Sequence, residues 1–142
     1  MTRDEIASFF KARQALWTAR DVAGLANGNA PNSTVHSPMF GRLQGRDAIR
    51  DSYSSVFGMF PDWDLRLDDV LIDGSRAVQV FTATATHVGE FMGLPGTNRR
   101  FTIQGVRIVD MADGFIQNER RLYDFTGLLV QVGVLRARPA KL

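Results

Sequence analysis

Apolar residues recur at helical spacing near the start of the chain. Ile6, Phe9, Phe10, Leu16 and Trp17 share one side, with Arg3, Lys11 and Arg20 on the other. This pattern predicts an amphipathic helix. Thr2-Arg3-Asp4-Glu5 fits a capping box, in which the Thr hydroxyl and the Glu carboxylate accept free N–H groups at the helix start. Asp21 to Ala26 predicts a second, shorter helix, and Asn27-Gly28-Asn29-Ala30-Pro31 a break. Asn32 to Pro38 reads as a short strand and Gly41 to Gly45 as a loop. A third helix is expected from Arg46 to Phe60, with Ile49, Tyr53, Val56, Phe57 and Phe60 on one side. Pro61 ends it, because proline lacks the N–H that the next turn needs.

Beyond Pro61 the period changes from 3.6 to 2. Trp63, Leu65 and Leu67 alternate with Asp64, Arg66 and Asp68. Asp73-Gly74 is a hairpin signal, and Arg76 to His87 reads as a Val- and Thr-rich strand. Gly89 to Asn98 is a Gly/Pro loop. Phe101 to Met111 and Phe115 to Tyr123 form a second hairpin around Asp113-Gly114. A last helix starts near Asp124, with Leu128, Leu129, Val132 and Leu135 as its apolar face. Helices followed by antiparallel strands predict an α+β domain, with helices on one face of a curved sheet. The tail from Arg136 to Leu142 reads as frayed.

The 142 residues predict one domain with an ordinary globular composition, 44% hydrophobic and 23% charged. The absence of Cys excludes disulfides, thiolate metal sites and thiol nucleophiles. Seventeen Lys and Arg face fifteen Asp and Glu without forming a basic block, so neither nucleic acid nor a membrane surface is an expected partner. The start of the chain lacks the pattern of a signal peptide, which together with the absence of Cys points to the cytoplasm.

Strand register brings chemistry-bearing residues together. If Asp113-Gly114 is a two-residue loop, Ala112 opposes Phe115 and Arg107 opposes Arg120. Asn118, Arg120, Leu122 and Asp124 then share one face with Ile103, Gly105, Arg107 and Val109. If that face is interior, two arginines suit an anionic ligand, since each presents planar donors to carboxylate or enolate oxygens. A bulge would shift the register by one and send one Arg to solvent. In the unshifted register Glu119 lies on the other face, where it is expected to pair with a surface Arg such as Arg121; in another register it is a reserve acid. His87 ends a strand rich in Thr and Ala, either as a base near neutral pH or as a structural His bonded to the loop; His36 is expected to be structural. Small residues from Thr82 to Thr86 leave room for a ligand. Tyr53, Phe57 and Trp63 are candidate pocket residues, with Phe40 and Phe60 beside them. Phe91 and Met92, with Leu94 and Pro95, suggest an apolar mouth or a dimer contact. Read from its surroundings alone, Asp124 is the N-cap of the last helix.

The segment Thr86-His87-Val88-Gly89-Glu90-Phe91-Met92-Gly93-Leu94-Pro95-Gly96-Thr97-Asn98-Arg99-Arg100-Phe101 resembles a hallmark of the SnoaL-like polyketide cyclases. Asp113-Gly114, with Asp124 ten residues on and Gly127 to Gly133 after it, resembles a second. This family belongs to the nuclear-transport-factor-2-like superfamily, and the resemblance implies its cone-shaped α+β barrel along nearly the whole chain. It further implies an intramolecular aldol condensation without metal or cofactor, on a small molecule, in a homodimer or larger homo-oligomer. Asp124 matches the family's general acid/base. Arg107 stands where the best-known cyclases carry an assisting His, and Arg120 where some carry Arg. The same scaffold also hosts epoxide hydrolases, isomerases and ligand-binding modules, which stay open as alternatives.

Overall fold

The computed structural model describes residues 1–141. Its elements are α1 (Arg3–Ala19), α2 (Val22–Asn27), β1 (Asn29–Ser37), β2 (Gly41–Gln44), α3 (Arg46–Met59), β3 (Asp64–Asp73), β4 (Arg76–Thr86), β5 (Arg100–Ala112), β6 (Phe115–Tyr123) and α4 (Phe125–Gln131). One six-stranded sheet runs β2-β1-β6-β5-β4-β3. The β1–β6 pair is parallel and every other pair antiparallel. This is the expected α+β plan, built on a mixed, unclosed sheet. No helix among the described residues is long and apolar enough to cross a membrane.

The capping box forms as read. Glu5 N donates to Thr2 Oγ1 at 3.2 Å, and Thr2 N donates to Glu5 Oε2 at 2.9 Å. Ile6, Phe10 and Trp17 point from α1 into the core. The main apolar cluster joins Trp17, Tyr53, Phe60, Trp63, Phe81 and Phe101 between helices and sheet. Ile6 and Phe10 pack with Val109, Met111 and Ile116 in a second cluster at the hairpin end.

Three boundaries differ from the sequence reading. Residues 41–44 form an edge strand, not a loop, and pair with β1 through Val35 and Leu43. The segment carries one apolar residue, too few to show a period of two. β1 starts at Asn29, inside the expected break, because parallel pairing of Asn29 with Ile116 extends it. The last helix ends before Leu135: Gly133 adopts φ 84° and Leu135 is 45% exposed. A left-handed glycine turns the chain away there.

The Gly/Pro loop folds back on the end of α3. Val88 N and Gly89 N both donate to Met59 O at 3.0 Å. A Cβ at Gly96 would lie 2.0 Å from Val88 O, a backbone atom that cannot yield without moving the loop. Gly96→Ala is therefore expected to destabilise the protein by about 1–3 kcal/mol, read as a lower denaturation midpoint in urea. An unchanged midpoint would show that the loop does not need this close approach.

Candidate active site

The β5–β6 hairpin decides which side chains face inward. Asp113 and Gly114 take positive φ values of 55° and 83°, as a two-residue turn of this kind requires. Ala112 pairs with Phe115 and Met111 with Ile116, as the arithmetic gives. Gln117 is then an extra residue, and Asp110 pairs with Asn118. From that bulge outward the register is shifted by one, so Arg107 opposes Arg121 and Ile108 opposes Arg120. The expected pairing of Arg107 with Arg120 is corrected accordingly. One slipped residue exchanges the faces of the whole outer half of β6. Glu119 and Arg121 are buried, whereas Arg120 is exposed.

The buried charges form a connected group. Arg121 Nε donates to Glu119 Oε2 and its Nη2 to Tyr53 Oη at 3.3 Å. Arg13, on the inner side of α1, donates to Leu25 O at 2.9 Å and to Tyr53 Oη at 3.0 Å. Arg107 lies over the rings of Trp17 and Phe81, at 4.4 and 5.1 Å from their centroids. Its Nε finds no acceptor among the described residues. Three guanidiniums thus surround one carboxylate in the core.

Burial alone would raise the Glu119 carboxyl; the guanidiniums of Arg121, Arg107 and Arg13 outweigh it and hold the group well below the usual range. Burial pushes the Arg107 guanidinium down to about 10, with Glu119 opposing the fall and Arg121 and Arg13 adding to it. Burial also acts downward on Arg121, but Glu119 more than compensates and its pKa rises. All three remain charged at neutral pH.

Tyr53, Arg107 and Arg121 line a narrow cavity together with Trp17, Trp63 and Phe81. Its inner space is about 30 Å³, room for about two water molecules. Met39 and Phe40, on the β1–β2 turn, and Tyr123 border it. Ser37 Oγ accepts the N–H groups of Met39 and Phe40, each at 3.2 Å, and so pins this turn. Burial raises the pKa of the Tyr123 phenol, so it stays protonated at neutral pH.

Of the residues singled out in the sequence, Arg107, Tyr53 and Trp63 meet at the cavity. Phe57 packs beside it, 6.4 Å from Tyr53 and 6.1 Å from Trp17 between ring centroids. Asp124 is exposed and caps α4, accepting from Gly127 N at 2.8 Å. It directly follows the cavity-bordering Tyr123. Asn118 and Arg120 lie on the other side of the sheet, in an open depression with His36 and Arg42. His87 is buried outside the cavity lining, with Nδ1 at 3.1 Å from Thr97 Oγ1. Phe91 packs on His87 and Phe60, while Met92 is 61% exposed at the loop tip.

Arg13 escaped the sequence reading; Glu119 and Arg121 pair as expected, but inside the core and not at the surface. A signal for Arg13 exists: positions 6, 10, 13 and 17 form the buried stripe of α1, and only position 13 is charged. Arg121 and Glu119 carried no such signal, because the bulge that turns them inward has no marker of its own at Gln117.

A family model described as SnoaL-like polyketide cyclase matches residues 8–132. The nogalonic acid methyl ester cyclase of Streptomyces nogalater is 35% identical over 72 residues, which are 49% of this chain and 54% of that protein. The matched segment therefore spans about half the length of this curated relative. Among solved structures, TsrD from Streptomyces laurentii superposes with a TM-score of 0.82 at 24% identity, over 95% of this chain and 99% of that one. AclR from Streptomyces galilaeus gives 0.83 at 25% identity, over 97% and 87%. The match over residues 8–132, carried by the same fold from α1 to α4, makes this chain a member of the SnoaL-like polyketide cyclase family.

Proposed function

We propose that the protein is a cofactor-independent acid/base catalyst. It closes a ring by intramolecular aldol condensation of a bulky, largely apolar, oxygenated molecule of the polyketide class. One observation carries this reading: a buried, cationic Arg107 borders the cavity with an N–H that no protein acceptor uses. A donor held ready in a low-dielectric site stabilises negative charge that develops on a substrate oxygen.

In the proposed reaction a carboxylate removes the proton beside a carbonyl. The enolate oxygen is stabilised by Arg107. The enolate carbon attacks a second carbonyl, a C–C bond forms, and the resulting alkoxide takes a proton back. Asp124 is assigned the proton transfer, because it matches the family's general acid/base position and Glu119 is committed to Arg121.

Asp124→Asn tests the assignment. Asn caps a helix about as well as Asp, so the fold should hold. Turnover of an aromatic keto ester, and exchange of its α-proton in D2O, should fall at least ~10²-fold with little change in affinity. Undiminished exchange would remove Asp124 from the mechanism. A second reading, a ligand-binding module without catalysis, is favoured by the small cavity and by the engagement of Asp124 as a cap. Tight binding with no α-proton exchange in the unaltered protein would establish that reading instead.

A further inference from the structure

Two donors of the cavity wall are left without a partner among the described residues. Trp63 Nε1–H is buried with no acceptor among the described residues, as is Arg107 Nε–H, and both residues line the same space. Tyr53 Oη accepts from both Arg13 and Arg121, which occupies its two lone pairs. Its own proton is left to donate. The ion pair of the core joins Arg121 to Glu119 and leaves Arg107 without a carboxylate partner among the described residues. Three buried guanidiniums against one buried carboxylate leave a surplus of positive charge at the cavity.

We propose that this cavity selects a ligand that carries an ionised carboxylate, in preference to its methyl ester, with the carboxylate seated against the Trp63 indole N–H and one edge of the Arg107 guanidinium, whose other N–H groups are left for the enolate oxygen. An ester carbonyl can accept one of these hydrogen bonds, but it brings no charge to offset the guanidinium and fewer acceptor sites. A carboxylate supplies both, and burial strengthens its charge-assisted bonds. The inference rests on the cavity being the substrate site and deepens it by naming the ionisation state of the substrate.

The test is a pair of equilibrium titrations of the unaltered protein with anthraquinone-2-carboxylic acid and its methyl ester at pH 7. The acid is expected to bind about 10- to 100-fold more tightly. Arg107→Gln should close that gap by weakening the acid, and Trp63→Phe should narrow it. Equal affinities, or a tighter ester, overturn the carboxylate preference while leaving the ring-closure reading intact. A gap that survives in Arg107→Gln overturns the assignment to Arg107. A preference for the acid without α-proton exchange on a keto analogue upholds this inference and ends the catalytic reading. Failure of both compounds to bind at millimolar concentration overturns both. The central comparison needs no variant, so misfolding of a variant cannot obscure it.

Discussion

Glu119→Gln is expected to cost about 3–5 kcal/mol of stability, because it leaves Arg13, Arg107 and Arg121 together in the core without a counter-charge. The loss should appear as a lower urea midpoint with an unchanged slope. Adding Arg121→Met should recover much of it, since an apolar side chain in place of a buried pair is often neutral or better. A single-variant loss below about 1 kcal/mol would mean that Glu119 does not hold the arginines in place. The pH dependence gives a second readout. The Glu119 pKa is depressed in the folded state, to about 2. Its stabilisation is therefore complete above the ordinary glutamate pKa of about 4.3 and disappears as the pH falls through about 2. Between those limits the unaltered protein should lose stability more steeply with acid than Glu119→Gln does.

Arg107→Gln is expected to lower turnover by about 10²–10³-fold, the loss typical of one pre-placed donor to a developing oxyanion. Arg107→Lys should restore only part of it, because an ammonium is a point charge and not a planar fork. Stability is expected to move the other way. Arg107 is a buried cation without an ion-pair partner, and its pKa of about 10 records the strain of keeping it charged there. Arg107→Met should thus melt no lower than the unaltered protein, even as activity collapses. A variant that both melts lower and keeps its turnover would make Arg107 a structural residue.

The two outcomes separate groups that influence one another electrostatically in the core. Glu119 pairs with Arg121; Arg107 stands outside that pair and lines the cavity. Both conclusions depend on a feature of one strand, the extra residue at Gln117.

Much of the architecture was legible because it depends on local rules. The capping box of α1, the turn at Asp113-Gly114 and the stop at Pro61 each act within a few residues. Periods of 3.6 and 2 told helix from strand wherever enough apolar residues repeated, and they were silent on the four residues of β2. The two hallmark segments pointed to the family, since their spacing reflects local demands: a loop that closes on α3, and a helix that starts at Asp124.

The candidate site was only partly legible. Arg107, Tyr53 and Trp63 were named from their positions and do meet at the cavity. Which neighbours join them depended on hairpin register. In a strand a shift of one residue reverses every side chain, and the bulge that causes it is a small energetic choice made by the packed sheet. It carried Arg120 to the surface and brought Glu119 and Arg121 inside. The chain's own pattern thus specified its elements, their order and its family. The charge balance of the interior was settled only when non-local strand pairing decided which polar side chains the core had to accommodate.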